Sequence, residues 1–216
     1  MRDSAILIVG AGGLGVPTAC ALARAGVLRL GLVDPDPVEL SNLARQVIYR
    51  SADIGMPKVQ AAAHHLREIL PRLELRTHRC RLDESNAAAL IAEYDFIVDA
   101  TDNPAAKFLI NDRCIGALRP FVYGGVLGLN GQAMTVLPGE TACLRCLFEE
   151  PPDEAEGLGC HEAGILGPIA GAIGQVEARE VISFLSGRRP QLAGRMLIYD
   201  GAVGRVRLTP APARRG

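Results

Sequence analysis

The sequence predicts an α/β protein with one doubly wound, mostly parallel sheet and an antiparallel extension late in the chain. Short apolar segments alternate with helical patterns along most of the 216 residues, as in successive strand–helix–strand units. The apolar residues are mostly Ala, Val, Leu and Ile, and aromatic residues make up only 4%, as buried parallel strands prefer. Later in the chain, strand-like segments are separated by short turns rather than helices, which predicts antiparallel pairing.

The predicted elements follow one another in a regular order. They are a strand at 4–9, a helix to about residue 25, a strand at 28–33, a helix at 58–70, a strand at 73–80, a helix capped by Ser85, a strand at 96–98, a helix at 104–117, strands at 121–125 and 132–137, a helix at 167–185, and strands at 196–199 and 206–209. Gly26 and Gly187 suit the ends of their helices, and Pro104 suits a first helical position. The helix at 58–70 has a continuous apolar face.

Composition limits the class of protein. The formal net charge is −1, so nothing predicts a field that attracts nucleic acid or an anionic membrane. Six cysteines are too few for a disulfide scaffold, no signal peptide is recognised, and the first apolar run, at 5–9, is too short to span a bilayer. We therefore expect a cytoplasmic protein with a single domain at 1–209, a mobile acidic loop at 149–159 and a disordered tail at 210–216.

A glycine-rich loop follows the first strand and opens the first helix. Gly10, Gly12 and Gly15 fit a Rossmann-like dinucleotide-binding fingerprint, and Gly13 lies within it. The free N–H groups and partial positive charge of the helix N-terminus would face phosphate. Asp34 ends the next strand, where a carboxylate accepts hydrogen bonds from ribose hydroxyls. The fingerprint does not decide which adenine nucleotide binds, so an NAD-dependent oxidoreductase stays an alternative.

Five segments in order resemble one family over nearly the whole chain. The sequence from Ile6 to about Leu208 is similar to the ThiF/MoeB/HesA-type adenylyltransferases, which activate sulfur carriers in thiamin and molybdopterin biosynthesis and are related to ubiquitin-activating enzymes. The segments that carry the resemblance, together with the glycine loop, are 34–46, 55–58, 99–103, 143–148 and 160–168. Each is a weak motif alone, but their order and spacing are specific.

The resemblance implies an ATP-dependent adenylyltransferase. A carboxylate would attack the α-phosphate of ATP and expel pyrophosphate, a reaction that needs positioning and cations around the phosphates. Arg45 and Lys58 are the candidate phosphate clamps, and Asp102 is the candidate Mg²⁺ ligand. Asn42 and Gln46 would complete the nucleotide pocket. These residues, with the four glycines and Asp34, form the predicted site.

Each candidate also has a purely structural interpretation. Arg45 alone could be a solvated loop charge, and Lys58 a residue of the first helical turn. A lysine is unfavourable beside the positive end of a helix, so a phosphate partner is favoured there. Asp99 or Asp102 could cap the helix that begins near Pro104.

The resemblance also implies the partners. The substrate would be the C-terminal glycine of a small β-grasp, ubiquitin-like carrier, with a sulfur-donor enzyme as a further partner and a symmetric homodimer as the assembly. The apolar helix at 167–185 is compatible with such a dimer. The glycines at 124–125 and 128–131 either leave room for a thin peptide tail or form ordinary turns. A related branch that activates a modified adenosine of tRNA fits the cysteine segments less well.

One departure from the family concerns its N-terminal arm. Members begin with a helical arm that carries an arginine into the partner protomer's site, whereas this sequence begins at Met1, four residues before Ala5. We expect the arm to be missing and Arg2 not to replace it. Loss of that charge would slow the reaction unless another group compensates. A non-catalytic partner subunit of an activating enzyme is therefore a second alternative, although retention of Arg45, Lys58 and Asp102 argues against it.

A second departure concerns zinc. Cys143-x-x-Cys146 is half of a structural zinc site, which needs four ligands, and residues 197–216 contain no cysteine to supply the other half. Cys160 and His161 could complete a site, but we favour two buried, reduced cysteines over zinc. Three further histidines show no ligand spacing with the cysteines and are interpreted as surface or helix residues: His64, His65 and His78.

Cys160 is a candidate for a covalent role. It follows the predicted loop at 149–159 and lies beside His161, so it could accept sulfur or the activated carrier after adenylylation. The alternative is an incidental loop cysteine.

Overall fold

A single eight-stranded sheet forms the centre of the computed structural model, which describes residues 4–148, 150 and 165–212. Its strands are β1 Ala5–Val9, β2 Arg29–Val33, β3 Glu74–His78, β4 Phe96–Asp99, β5 Phe121–Leu127, β6 Asn130–Val136, β7 Arg195–Asp200 and β8 Arg205–Pro210. Their spatial order is β3-β2-β1-β4-β5-β6-β7-β8. The first five are parallel, and β5 to β8 pair antiparallel. The predicted fold class is confirmed.

Helices cover both faces of the sheet. They are α1 Gly15–Arg24, α2 Lys58–Ile69, α3 Ala87–Ala92, α4 Pro104–Gly116, α5 Leu144–Leu147 and α6 Gly167–Leu185. Because successive strand residues point to opposite faces, β1 contributes to two cores. Ile6 and Ile8 pack in one core with α1, α2 and α6, and Leu7 and Val9 pack in the other with α3, α4 and α5.

The order of the strands creates a switch point beside β1. From β1 the chain builds outward through β2 to β3, and then returns to place β4 on the other side of β1. The helices that follow β1 and β4 cover opposite faces of the sheet, so the carboxyl ends of these two strands form a topological switch point. Open α/β sheets bind their ligands at this position.

Helix α6 belongs to the core of its own chain. Ile169, Ile173 and Val181 are buried against α1, β5 and β6. A side chain at Gly124 would overlap Oε1 of Glu177, and a Cβ at Gly131 would lie 2.6 Å from Ile173 Cγ1. These two glycines allow close strand–helix packing, so the space beside them is filled by α6 and is not available to a peptide tail. The apolar character of α6 likewise no longer argues for a dimer.

The end of the described chain differs from the sequence-based expectation. The tail was predicted from residue 210 onward, but Pro210 pairs with Arg195 in β8 and the N–H of Ala211, which is buried, donates to Gly194 O at 2.9 Å. Residues 213–216 lie outside the described residues, as does the predicted loop at 149–159 except for Glu150. No helix among the described residues has the length and apolar character needed to cross a bilayer.

Candidate nucleotide site

The glycine loop joins β1 to α1 at the switch point. Gly10 has φ +99°, and a Cβ there would lie 2.6 Å from the carbonyl oxygen of Ala100, at the end of β4. A Cβ at Gly15 would overlap the carbonyl oxygen of Gly10. At Gly12 the nearest atom to an added Cβ would be Gln46 Nε2, at 3.7 Å. Gly10 and Gly15 are therefore required by the fold, whereas Gly12 faces open space.

Asp34 closes the loop from the side of β2. Its Oδ2 accepts the N–H of Ala11 at 2.8 Å, and its Oδ1 accepts the N–H of Asp36 at 2.9 Å. Burial raises the pKa of this carboxyl, while Lys58 and the two backbone donors act against that increase. A carboxylate has about four acceptor positions, so Asp34 orders the loop and keeps capacity for ribose hydroxyls.

Lys58 is the first residue of α2 and is buried, with only 7% of its surface exposed. Its Nζ lies 3.2 Å from Oδ2 of Asp36. Tyr49 connects this helix to the glycine loop, because its hydroxyl donates to Ala11 O at 2.8 Å and lies 3.3 Å from Lys58 O. The predicted clamp is therefore held beside the loop, with an exposed carboxylate as its partner.

The segment between β2 and α2 brings three predicted residues to the loop. Asn42 is buried, but its Oδ1 accepts the N–H of Glu39 at 3.1 Å, which gives it a structural role in a short 3₁₀ turn. The half-buried Arg45 donates to Ser41 O at 3.0 Å, and its side chain packs near Gly13. Gln46 is only 4% exposed, and its Oε1 is buried without a hydrogen-bond partner among the described residues. Gln46 Nε2 is the atom nearest to the position of a Cβ at Gly12, so the amide nitrogen faces the loop.

The polar residues after β4 have structural roles that the sequence alone could not assign. Asn103 caps α4, accepting the N–H of Ala106 at 2.9 Å, so neither Asp99 nor Asp102 is the cap. Asp99 is fully buried and accepts hydrogen bonds from both the backbone and the hydroxyl of Thr101. Asp102 is exposed beyond the end of β4, next to the segment that contacts Gly10.

Two buried groups behind the site were not predicted. Lys107 Nζ lies 3.3 Å from Asp99 Oδ1, donates to Gly124 O at 2.6 Å, and lies 4.8 Å from the centre of the Tyr123 ring. Glu177 on α6 shares a 2.8 Å hydrogen bond with Thr18 of α1, and burial raises its pKa to about 8. A lone lysine or glutamate inside a predicted helix carries no local signal of burial, so these groups could not be recognised in advance.

The two cysteines of the predicted half zinc site are close together. Cys143 Sγ lies 3.7 Å from Cys146 Sγ at the start of α5. Burial raises the pKa of Cys143, and the contact with Cys146 raises it further. Among the described residues, no group of three potential metal ligands includes this pair. Cys160 and His161 lie outside the described residues, so their roles stay predictions.

Comparison with known proteins agrees with this architecture. A model described as the ThiF family matches residues 1–215. The protein "Adenylyltransferase and sulfurtransferase MOCS3" of Anopheles gambiae is 41% identical over 201 residues, which cover 93% of this chain and 46% of that protein. Its Zea mays counterpart, MOCS3-1, is 42% identical over 208 residues, which cover 96% of this chain and 44% of that protein. The chain thus spans about half the length of the curated relatives it matches.

Solved structures share the fold. Escherichia coli MccB crystallised with ATP superposes with a TM-score of 0.85 at 20% identity, covering 98% of this chain and 65% of that one. PaaA superposes with a TM-score of 0.81 at 25% identity, covering 97% and 64%. The glycine loop at the switch point and the family match over nearly every residue lead to one conclusion: the chain belongs to the ThiF family.

Proposed function

We propose that this protein uses ATP to adenylylate the C-terminal carboxylate of a small ubiquitin-like sulfur-carrier protein. One observation carries the proposal: Arg45, Gln46 and Lys58 all lie beside the glycine loop. The relatives are named as adenylyltransferases and sulfurtransferases, and their adenylyltransferase activity is the one that supports the proposal for a chain with this site.

Chemically, the site must bring two anions together. The carboxylate attacks the α-phosphorus, the bond from phosphorus to the bridging oxygen breaks, and pyrophosphate leaves with the bonding electrons. The chain's own residues bind and orient the phosphates: backbone N–H groups at the start of α1 with Arg45 and Lys58. No acid or base is required, so preorganised positive charge supplies most of the catalysis.

The residues fit ATP in two respects. An added Cβ at Gly12 would meet no atom closer than 3.7 Å, so the loop keeps an accessible surface for phosphate. The amide nitrogen of Gln46 faces Gly12, where it can donate a hydrogen bond to a phosphate or ribose oxygen. Asp102 is the proposed ligand for Mg²⁺, which supplies charge neutralisation at the phosphates. MccB, which has the same fold, was crystallised with ATP.

The finer features of the proposal come from the family. The carrier would belong to a molybdopterin-type or thiamin-type pathway, a sulfur-donor enzyme would act after adenylylation, and Cys160 is the proposed covalent residue. A homodimer and a cytoplasmic location are proposed on the same basis. The apolar face of α6 packs within its own chain, so that face is not available to a partner. Light scattering at micromolar concentration tests for the dimer.

Two competing functions are distinguished by ligand binding. An oxidoreductase would bind NAD tightly and would not exchange pyrophosphate into ATP. A non-catalytic partner subunit would bind neither ATP nor carrier productively.

The decisive experiment is carrier-dependent exchange of radiolabelled pyrophosphate into ATP, with NAD binding measured in parallel by calorimetry. We expect exchange with wild-type protein and none with Asp102→Asn. Tight NAD binding without ATP binding would overturn the proposal, and the absence of both ATP binding and carrier-dependent exchange would favour the partner-subunit alternative.

A further inference from the structure

Three potential metal ligands meet on one side of α2, away from the glycine loop's own residues. His64, His65 and Glu68 each offer one donor atom, and these atoms lie within 4.8 Å of one another. His64 Nε2 lies 3.6 Å from Oε1 of Glu68, and His65 Nδ1 lies 3.6 Å from Oε2. This spacing arises because residues three and four positions apart share a helix face.

The ring of His65 is already oriented as a ligand. Its Nε2 lies 2.8 Å from Oδ2 of Asp53, which also accepts the backbone N–H of Arg50 at 2.7 Å. In the neutral tautomer that donates from Nε2 to Asp53, the lone pair is on Nδ1, the ring nitrogen nearer to Glu68. A carboxylate that accepts from the second ring nitrogen is the usual outer partner of a metal-bound histidine.

His65 Nδ1 is the observation that points to a ligand. His65 is 5% exposed, and its Nδ1 is buried with no hydrogen-bond partner among the described residues. Such a nitrogen lacks about one hydrogen bond that water would supply, so its burial costs free energy unless something binds it. The 3.6 Å separation from Glu68 Oε2 is too long for a hydrogen bond.

The same separation suits two ligands of one ion. Tetrahedral zinc with ligands at about 2.1 Å places its donor atoms roughly 3.4 Å apart, close to the two 3.6 Å distances in this cluster. Two imidazoles and one carboxylate are a ligand set that zinc accepts, with water in the fourth position. We propose that His64, His65 and Glu68 form a binding site for a divalent transition-metal ion of the zinc type.

The surroundings of the cluster allow a metal ion to enter but include an arginine that competes with the ion for Glu68. A cleft of about 260 Å³ borders the cluster and is lined in part by Cys20, Arg50, His65 and Glu68. Arg50 Nη2 lies 3.0 Å from Glu68 Oε2, and the arginine side chain is 64% exposed. An exposed ion pair is worth little, so the guanidinium can swing into solvent when the metal binds. Arg50 therefore weakens the site without blocking it.

The test is titration of chelator-treated, full-length protein with Zn²⁺, followed by calorimetry, and with Co²⁺, followed by its visible spectrum. We expect one site per chain at micromolar concentration, with a cobalt spectrum that lacks thiolate charge transfer. Glu68→Gln and His64→Ala should each weaken binding at least about tenfold, the lower limit for losing even an outer partner. Both residues are exposed, so unfolding curves of the variants should match wild type.

Matched variants distinguish this cluster from the cysteine pair and from general surface charge. Glu93→Gln also removes an exposed glutamate paired with an arginine and should leave affinity unchanged, whereas Arg50→Ala should tighten binding severalfold by freeing Glu68. Cys143→Ser should have no effect. Absence of Zn²⁺ and Co²⁺ binding to wild-type protein would overturn the proposal. Binding that is lost in Cys143→Ser and retained in Glu68→Gln and His64→Ala would overturn it as well.

Discussion

Nζ of Lys58 lies 3.2 Å from Oδ2 of Asp36 beside the glycine loop. The lysine is nearly buried, whereas the side chain of Asp36 is 59% exposed. Separating the Lys58 ammonium from the Asp36 carboxylate therefore costs little free energy when a phosphate group binds in place of the carboxylate. Lys58 is positioned by α2 and by the Tyr49 hydroxyl, and Asp36 is the partner that phosphate would replace.

Lys58→Ala should weaken ATP binding by about 1.5–3 kcal/mol, the contribution of a charge-assisted hydrogen bond. Calorimetry measures this directly. Arg67→Ala is the matched control, because Arg67 lies in the last turn of the same helix and contacts Leu75 O. Equal losses in the two variants would indicate a general electrostatic effect and contradict a phosphate contact by Lys58.

The glycine loop offers a pair of substitutions with opposite outcomes. Gly12→Ala should change stability by no more than about 0.5 kcal/mol, since an added Cβ meets nothing within 3.4 Å, yet it should abolish close approach of phosphate and ATP binding. Gly15→Ala should destabilise the fold by about 1–3 kcal/mol, because its Cβ overlaps Gly10 O. Chemical denaturation and ATP titration check both. Normal ATP affinity in Gly12→Ala would show that phosphate does not contact this face of the loop.

The ion pair of Lys107 and Asp99 should be important for folding of the β4 end of the site. Both side chains are largely buried, and Lys107 also donates to Gly124 O. Lys107→Met should destabilise the protein by about 3–5 kcal/mol, because it leaves an uncompensated buried carboxylate. Adding Asp99→Asn to that variant should restore part of the loss. Urea unfolding measures the stability of the wild type, the two single variants and the double variant. If the losses from the two single substitutions simply add in the double variant, the result would contradict direct coupling of Lys107 and Asp99.

Glu177 should make stability depend on pH. Its pKa is raised from 4.5 to about 8, mainly by burial, so between these values the folded state binds a proton that the unfolded state has released. Stability is therefore highest at low pH in this window and falls as pH rises toward 8, by up to about 1.4 kcal/mol per pH unit. Glu177→Gln should remove this slope. Unfolding curves at several pH values test it, and parallel wild-type and variant profiles would refute the assignment.

The covalent role of Cys160 has a separate test. If Cys160 accepts sulfur or the activated carrier only after adenylylation, Cys160→Ala should keep pyrophosphate exchange and lose any covalent carrier–enzyme species on non-reducing gels. Cys146→Ala provides a comparison at another cysteine. A wild-type protein that forms no such species with an active carrier would leave Cys160 without this role.

Local sequence was sufficient for most of the elements and for the glycine loop, but it did not predict the short helix α5, and Asn86 rather than the predicted Ser85 is the N-cap residue of α3. The order of strand, glycine loop and helix predicted the position proposed for phosphate. This prediction needs only neighbouring residues, because the missing Cβ of a glycine and the free N–H groups of a helix N-terminus are local properties. The amphipathic pattern likewise predicted α2, and Pro104 was correctly predicted as the first residue of α4. Asn103 rather than an aspartate caps that helix, since three neighbouring polar side chains compete for one position and the backbone direction decides among them.

By itself, then, the sequence determined the fold class, the order of elements and the glycine loop, whose signals are periodic or contiguous. Tertiary structure alone decided which polar groups are buried together. Asp99 meets Lys107 across the junction of β4 and α4, Glu177 meets Thr18, 159 residues away, and His65 meets Asp53. Burial of a polar group depends on what packs over it, and those packing residues come from distant parts of the chain.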